Sequence, residues 1–208
     1  MDEPKQERAV KTRDGILHAA AEVFDECGFS GASISKIMNR AGVTQGGMYF
    51  HFKSKRGLAM AVMASQQDFV DPPKRSEGLQ ALIDLTFHLA RELQRNVLFR
   101  ASVRLAVEQG EFGVRSDTAY QEWVDHFLKH LRVARELGEL LPDVDEAEFA
   151  MTLVGAYTGT QLYSNIASER KDLPRRVSLL WRFTLPAVAT PEARERLRIH
   201  PGKSGLPV

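Results

Sequence analysis

Residues 33–52 have the sequence SISKIMNRAGVTQGGMYFHF, and this stretch decides the fold. Four apolar residues in its first half recur at the three- and four-residue spacing of a helix: Ile34, Ile37, Met38 and Ala41. Ser33 precedes them as a potential N-cap, and Gly42 interrupts the pattern. Thr44 can cap another short helix over residues 45–50. The stretch therefore predicts two short helices joined by a tight turn.

The second of these helices begins with an unfavourable pair of residues. Gly46 and Gly47 each cost about 1 kcal/mol relative to alanine inside a helix. A β-hairpin would explain the pair, but no alternating pattern precedes it. Close approach of the helix N-terminus to DNA explains it better, because free N–H groups can then face phosphate oxygens. In this interpretation Phe50 and Phe52 anchor the helix, and Tyr49 gives its hydroxyl to a phosphate.

The distribution of charge favours a nucleic-acid partner. The 208 residues include 28 Lys and Arg and 27 Asp and Glu, so the net charge of +1 is uninformative. Residues 28–67 contain no acidic residue, although the average density predicts about five. The basic and histidine residues of this window are Lys36, Arg40, His51, Lys53, Lys55 and Arg56. A chance run on a solvated face is the alternative, but an electropositive surface is favoured.

The rest of the chain also has helical periodicity. An amphipathic pattern runs from Glu7 to Cys27 and ends at Gly28, a suitable C-cap. Ser54 can cap a further helix, and residues 71–73, Asp-Pro-Pro, form the clearest break. Five more helical segments follow, and strand patterns are scarce. We therefore predict an all-α protein.

Composition excludes several classes of protein. The polar N-terminus is unlike a secretory signal, and no apolar run of about 18 residues predicts a membrane span. The single cysteine, Cys27, excludes an internal disulfide and a multi-cysteine zinc site. P-loop, H-E-x-x-H and C-x-x-C motifs are absent. We expect a cytoplasmic protein that is not an enzyme and has no catalytic residues, cofactor or metal site.

The segment GVTQGGMYFHFKSKRGL, residues 42–58, resembles the recognition-helix signature of the TetR family, roughly G-V-T-K-G-A-L-Y-F-H-F-x-S-K. QERAVKTRDGILHAAAEVFDECGF at the N-terminus is more narrowly similar to the γ-butyrolactone autoregulator receptors of filamentous actinomycetes. EWVDHF, GAYTGTQLYS and SLLWRFTLPAV in the second half are similar to the same receptors. The resemblance covers nearly the whole chain.

This resemblance implies a two-domain repressor. Residues 1–53 would form a three-helix helix-turn-helix DNA-binding domain. Residues 54–208 would form a helical bundle for ligand binding and dimerisation, with a connecting helix at 54–70 and a loose tail at 199–208. A homodimer would bind a pseudo-palindromic double-stranded operator and leave it when a butyrolactone- or butenolide-like inducer binds. Its targets would be secondary-metabolite (antibiotic) genes.

The candidate DNA-binding residues are Ser33, Lys36, Thr44, Gln45, Gly46, Gly47, Tyr49, His51 and Lys55. Two positions depart from the family pattern, because Gln45 stands where Lys is usual and Gly47 where Ala is usual. Glutamine can form a bidentate pair with adenine. Either the operator differs from the family norm, or binding depends more on the phosphate backbone.

The candidate ligand-binding residues are Gln66, Phe87, Leu105, Trp123, Phe127, Tyr157, Thr160, Gln161 and Trp181. The resemblance places Trp123 in the wall of the ligand cavity. A lactone carbonyl or hydroxyl needs a convergent polar group in an apolar cavity, and Thr160, then Gln66, could supply it. Gly155 and Gly159 lie one turn apart and would open a groove for the dimer mate.

The sequence is also compatible with other regulatory functions. A pseudo-receptor would respond to an antibiotic or a biosynthetic intermediate, and a TetR-type regulator could instead control efflux. An architectural DNA-binding protein without ligand control is a more remote alternative. The large apolar second half argues against it, because an architectural protein does not need such a domain.

Overall fold

The structure is a computed structural model that describes residues 5–69 and 76–199. Ten α-helices lie within these residues, and the all-α prediction is confirmed. They are α1 (Lys5–Gly31), α2 (Ile34–Ala41), α3 (Gln45–His51), α4 (Lys55–Ala64), α5 (Gly78–Arg95), α6 (Val97–Glu108), α7 (Thr118–Glu136), α8 (Glu146–Ser168), α9 (Leu173–Val188) and α10 (Pro191–Arg196). Short 3₁₀ helices follow α4 at Ser65–Phe69 and α6 at Gln109–Phe112. The predicted break at 71–73 lies outside the described residues, as does the predicted tail from residue 200.

Local capping chemistry fixes where the helices begin. The side chains of Ser33, Thr44 and Ser54 each accept a hydrogen bond from the backbone N–H three residues later. Asp145 caps α8 in the same way. Each bond satisfies one of the N–H groups that a helix start leaves without a partner. The caps at Ser33, Thr44 and Ser54 confirm the predicted helix starts.

Some helix ends differ from the prediction. The first helix continues to Gly31, but Gly28 has non-helical angles of φ 69° and ψ −179°, so the predicted interruption is present. The helix that follows Ser54 ends at Ala64 and continues as a 3₁₀ helix. Pro186 lies inside the last turn of α9, which ends at Val188.

The chain divides into two compact units. The first comprises the chain up to Phe69 together with the segment Arg95–Ser116, so it includes α1 to α4 and α6. The second comprises the segment that ends at Gln94 and the chain from Asp117 onward. The predicted functional boundary between residues 53 and 54 stays a prediction.

The first unit has one core to which helices distant in sequence contribute. Its buried members include Ile16, Phe24, Ile37, Met48, Phe52, Leu58, Val62, Ala101, Leu105 and Phe112. Asp25 of α1 accepts from Arg100 of α6, with the Nε–Oδ2 distance at 2.9 Å. The α6 helix is therefore bonded to α1 and completes the core that holds the helix-turn-helix segment.

The second unit encloses buried apolar side chains from α5, α7, α8 and α9. They include Leu82, Leu89, Phe127, Leu131, Leu153 and Trp181. The buried carboxylate of Glu139 accepts from the backbone N–H of Leu79 at 2.8 Å and so supports the first turn of α5. Gly78 beside it has a φ of 56°, a conformation that glycine adopts without strain.

Candidate nucleic-acid interface and ligand site

The start of α3 is exposed to solvent. Gln45 and Gly46 are exposed, and Thr44 Oγ1 accepts from the N–H of Gly47 at 3.2 Å. A Cβ added at Gly46 would meet no described atom within 4 Å, and one at Gly47 would meet Thr44 Oγ1 at 3.6 Å, an ordinary contact. The packing of the described residues therefore does not require either glycine.

Two side chains anchor α3 to the core of the first unit. Met48 is fully buried, and Phe52, four residues later, is almost so. Burying a residue such as Met48 contributes about 1.5–3 kcal/mol. The two glycines together cost about 2 kcal/mol. Anchoring of this size is enough to hold a seven-residue helix that would not form alone.

The prediction that Phe50 anchors α3 is wrong. Phe50 is 72% exposed, and its ring lies edge-on to His51 with the centroids 4.9 Å apart. On a helix, residue 50 points about 200° away from Met48, so both cannot face the core. Tyr49 is also exposed, as predicted. The outer side of α3 therefore carries a tyrosine hydroxyl and an uncovered phenyl ring.

The basic groups around α3 keep a net positive charge. Nζ of Lys36 donates to the carbonyl oxygen of Gly31 at 3.1 Å, and Nζ of Lys53 donates to that of Tyr49 at 3.1 Å. A neutral carbonyl does not cancel the charge of an ammonium group. Ser33, at the start of α2, is exposed beside Lys36.

Lys55 has a structural role as well as a charge. Its Nζ donates to the carbonyl oxygen of Ala32 at 2.8 Å and lies 4.2 Å from the ring centroid of Phe29. The second contact has the geometry of a cation–π interaction. Lys55 therefore connects the start of α4 to the segment between α1 and α2.

Arg40, by contrast, is matched by carboxylates of α1. Its guanidinium lies 2.7 Å from Glu26 and 3.2 Å from Glu22. The hydrogen bond from Arg40 lowers the pKa of Glu26. The carboxylates of α1 thus balance the charge of Arg40. Among the cations of residues 28–67, Arg40 is therefore the weakest candidate for a phosphate contact.

Two predicted ligand residues of the second unit, Tyr157 and Trp181, are bonded to the same threonine. The indole N–H of Trp181 donates to Thr86 Oγ1 at 2.8 Å. The hydroxyl of Tyr157 donates to the carbonyl oxygen of Thr86 at 3.1 Å. Burial raises the pKa of Tyr157, so its hydroxyl stays neutral. Thr86, which sequence reasoning did not single out, is therefore the polar centre of this interior.

Other predicted ligand residues lie around the same core. Phe87 and Phe127 are buried. Trp123 is half-buried, and its ring lies 6.3 Å from that of Phe127 at 66°. Gln161 is buried next to Arg170, whose side chain is also buried and was not predicted. The polar sequence SERKD around residue 170 gave no signal of this burial.

Thr160 faces a different environment. It lines an open groove of about 280 Å³ between α8 and α9. The other lining residues are Tyr163, Arg176, Leu179, Leu180, Phe183 and Thr184. Gly155 and Gly159 are exposed on α8, and a Cβ at either would meet no described atom within 4 Å.

Two predicted ligand residues belong to the first unit. Gln66 is buried and donates from Nε2 to the carbonyl oxygen of Ser102 at 3.1 Å. Leu105 is fully buried in the core that also holds Met48. The structure thus groups these two residues apart from the cluster around Thr86.

Comparison with known proteins identifies the family. Residues 16–62 match the family of bacterial regulatory proteins known as the tetR family, and residues 76–190 match the tetracyclin repressor-like C-terminal domain. The chain belongs to the TetR family. It is therefore a DNA-binding transcription regulator, and the expectation that it is not an enzyme is confirmed by its family. Regulators of the TetR family bind operator DNA and small molecules and form dimers.

Individual relatives of this TetR-family chain include two proteins from Streptomyces. The A-factor receptor protein of Streptomyces griseus is 39% identical over 187 residues, which are 90% of this chain and 67% of the relative. The full-length crystal structure of TylP, a TetR regulator from Streptomyces fradiae, is 42% identical with a TM-score of 0.82, covering 92% and 93% of the two chains. A γ-butyrolactone receptor described as an ArpA-like protein is 31% identical with a TM-score of 0.72, covering 91% and 94%.

A membrane-spanning helix needs about 20 consecutive, predominantly apolar residues. Within residues 5–69 and 76–199, no helix is both long and apolar enough to cross a lipid bilayer.

Proposed function

We propose that the chain is a cytoplasmic, ligand-responsive repressor that binds a pseudo-palindromic operator as a homodimer. A γ-butyrolactone or butenolide-type signalling molecule releases it from DNA, and its targets are secondary-metabolite genes. One observation carries the DNA part of this proposal. The exposed face of α3 presents Gln45, Gly46 and Tyr49 at the start of a helix whose opposite face is anchored by Met48.

Each exposed group of α3 and its neighbours suits a different part of DNA. The free N–H groups at the start of α3 and the hydroxyl of Tyr49 fit phosphate oxygens, which set the position of the helix. The amide of Gln45 fits the N6 and N7 edge of adenine in the major groove. Lys36 and Lys53 add positive charge that needs no sequence-specific partner.

The proposed dimer forms through the α8–α9 face, which we define as the exposed apolar surface of those two helices. Its exposed large side chains are Met151, Tyr163, Ile166 and Phe183. Gly155 and Gly159 leave room on the same helix for close approach of a second copy. Two helices from each protomer would form a four-helix bundle.

The ligand class rests on the likeness to the A-factor receptor and the γ-butyrolactone receptor. The interior around Thr86 supports it, because a lactone needs apolar walls and a few fixed polar groups. Ligand can weaken DNA binding only through its different affinity for the two states of the protein. A tenfold loss of DNA affinity requires about 1.4 kcal/mol of coupling.

A gel shift tests the proposal directly. The probe is DNA upstream of the protein's own gene, with and without an organic extract of the producing culture. We expect a shift that the extract reverses. Gln45→Ala should relax base preference, whereas Tyr49→Phe should weaken binding to all sequences alike. Gln121→Ala on exposed α7 is the matched control and should change neither.

Trp123→Ala tests the ligand part separately. It should abolish release by the extract while DNA binding stays intact. Loss of DNA binding in this variant would make Trp123 a core residue, and an unchanged response would exclude it from the ligand site.

A further inference from the structure

Phe50 is an uncovered aromatic ring in the second half of α3. It is the most exposed of the large apolar side chains that the structure describes in the first unit. Met48 and Phe52 anchor α3 to the core, so Phe50 is not needed to hold the helix. Single exposed apolar residues are common on protein surfaces and by themselves need no explanation. The position and the neighbours of this ring, however, restrict what can cover it.

Phe50 lies on the side of α3 that faces away from the core, one turn after Gly46. Residues four apart share a helix face, and helical side chains lean toward the N-terminus, so the ring leans toward the turn that holds Gly46. A Cβ added at Gly46 would meet no described atom within 4 Å, so the space beside the ring is open. A group that approaches the exposed start of α3 would therefore reach the phenyl ring without displacing a described side chain.

His51 supports the exposed ring from one side. The two rings lie edge to face, with their centroids 4.9 Å apart and their planes at 87°. Such an arrangement is favourable for aromatic rings. His51 is itself half-buried, so it is held by the body of the unit. A ring that is already supported in this way loses less conformational freedom when a partner covers it.

The groups around Phe50 suit DNA better than an apolar protein surface. Tyr49 presents an exposed hydroxyl, and Nζ of Lys53 keeps its charge while it donates to the carbonyl oxygen of Tyr49 at 3.1 Å. Residues 28–67 contain no acidic residue. An apolar partner would desolvate the ammonium group at a cost, whereas phosphates neutralise it. The apolar group that base edges present in the major groove is the 5-methyl group of thymine.

We propose that Phe50 recognises thymine in the operator through the 5-methyl group of that base. The inference rests on the proposed function, which places α3 against operator DNA, and it adds a base contact of a different kind from that of Gln45. An amide distinguishes bases by hydrogen bonds, whereas a phenyl ring contacts the methyl group that only thymine carries. Burial of one methyl group is worth a factor of about four in affinity, so two half-sites give a homodimer about fifteenfold.

Two forms of one duplex test the contact. The full-length wild-type protein selects the duplex from a randomised library, so the operator need not be known beforehand. The duplex is then amplified once with thymidine triphosphate and once with deoxyuridine triphosphate. Uracil keeps the hydrogen-bonding groups of thymine and lacks only its methyl group. Fluorescence anisotropy at one salt concentration should show that the wild type binds the uracil duplex about fifteenfold more weakly.

Substitutions assign this discrimination to the ring. Phe50→Ala should bind the thymine duplex about fifteenfold more weakly than the wild type does and distinguish the two duplexes by no more than about twofold. Phe50→Leu keeps an apolar side chain and should restore most of the preference for thymine. Tyr49→Phe should weaken binding to both duplexes equally and so keep the preference. Leu137→Ala removes a 50% exposed apolar side chain from the second unit and should change nothing.

Two outcomes would overturn the inference: equal affinity of the wild type for the two duplexes, or a wild-type preference for thymine in a folded Phe50→Ala variant. The second outcome would assign the ring to the sugar–phosphate backbone, and circular dichroism checks the fold. Gel shifts on the selected duplex keep the proposed function separate. A duplex that the culture extract releases, without any preference for thymine, would remove the inference alone. Failure to select any duplex would remove the proposed function and this inference with it.

Discussion

Trp181 and Thr86 are joined by a hydrogen bond in the interior of the second unit, with the indole Nε1 2.8 Å from Oγ1. Thr86 in turn donates to the carbonyl oxygen of Ile83 at 2.7 Å. Trp181, Thr86 and Tyr157 are all buried, so each polar atom depends on this arrangement. The hydroxyl of Thr86 thus allows the tryptophan of α9 to pack against α5 with its indole N–H hydrogen-bonded.

Thr86→Val should therefore destabilise the protein by about 1–3 kcal/mol, the cost of a buried donor without a partner. Urea unfolding monitored by circular dichroism measures the loss. Thr158→Val is the control, because Thr158 is half-exposed and bonds the carbonyl oxygen of Val154 in its own helix. Equal effects of the two substitutions would show that the bond to Trp181 contributes nothing.

Lys55→Met should change two measurable quantities. Loss of the contacts with Ala32 and Phe29 should lower the free energy of unfolding by about 1 kcal/mol. If Lys55 also neutralises a phosphate, the slope of log affinity against log salt should fall by about 0.9. Lys171→Met, at an exposed position of the second unit, should alter neither. An unchanged salt slope with reduced stability would assign Lys55 a structural role only.

Asp172→Asn should remove part of the protein's sensitivity to acid. Burial alone would raise the pKa of Asp172, but hydrogen bonds from Ser164, Ser168 and Arg176 outweigh it and lower this pKa below its usual 3.8. The unfolded carboxyl therefore binds a proton at higher pH than the folded one. The stabilisation is complete well above pH 3.8 and is lost as the pH falls through the folded pKa.

The measurement compares urea unfolding of wild type and Asp172→Asn at pH 7 and at about pH 3. We expect the variant to be less stable by about 1–2 kcal/mol at pH 7 and the difference to shrink in acid. Asp143→Asn, at an exposed position before α8, is the control. A constant difference at both pH values would contradict the pKa argument.

Phe183→Glu should prevent dimerisation. Phe183 is 80% exposed on the α8–α9 face, and a carboxylate there would be buried against a second copy without a partner. Sedimentation at micromolar concentration should show a monomer. Leu137→Glu, at a residue that is 50% exposed after α7, should leave the oligomeric state unchanged. A dimeric Phe183→Glu variant would place the interface elsewhere.

Features that depend on neighbouring residues were predictable from the sequence. Ser33, Thr44 and Ser54 all cap helices as expected, because an N-cap needs only its own side chain and an N–H three residues later. The exposed start of α3 follows from the same local rules. The error at Phe50 was avoidable, since helical geometry already separates residue 50 from Met48.

Features that depend on distant residues were not predictable in this way. Thr86 fits the apolar stripe of α5, and only its contact with Trp181, 95 residues later, makes it the centre of a network. Arg170 lies in a polar segment that resembles a solvated turn, and periodicity gives no sign of its positive φ or of its burial. Leu105 fits the helical periodicity of a core residue, but this pattern does not show which of the two cores Leu105 joins.

The first unit is discontinuous in sequence, since Ala101, Leu105 and Phe112 complete the core that holds Phe24 and Met48. A growing polypeptide cannot close this core until α6 has left the ribosome. A chimaera that exchanges DNA specificity by splicing after α3 would combine the α1–α3 segment of one protein with the α4 and α6 core residues of another. Transplanting α1 to α4 together with α6 and Phe112 should give a protein that folds, and shorter exchanges should give one that aggregates.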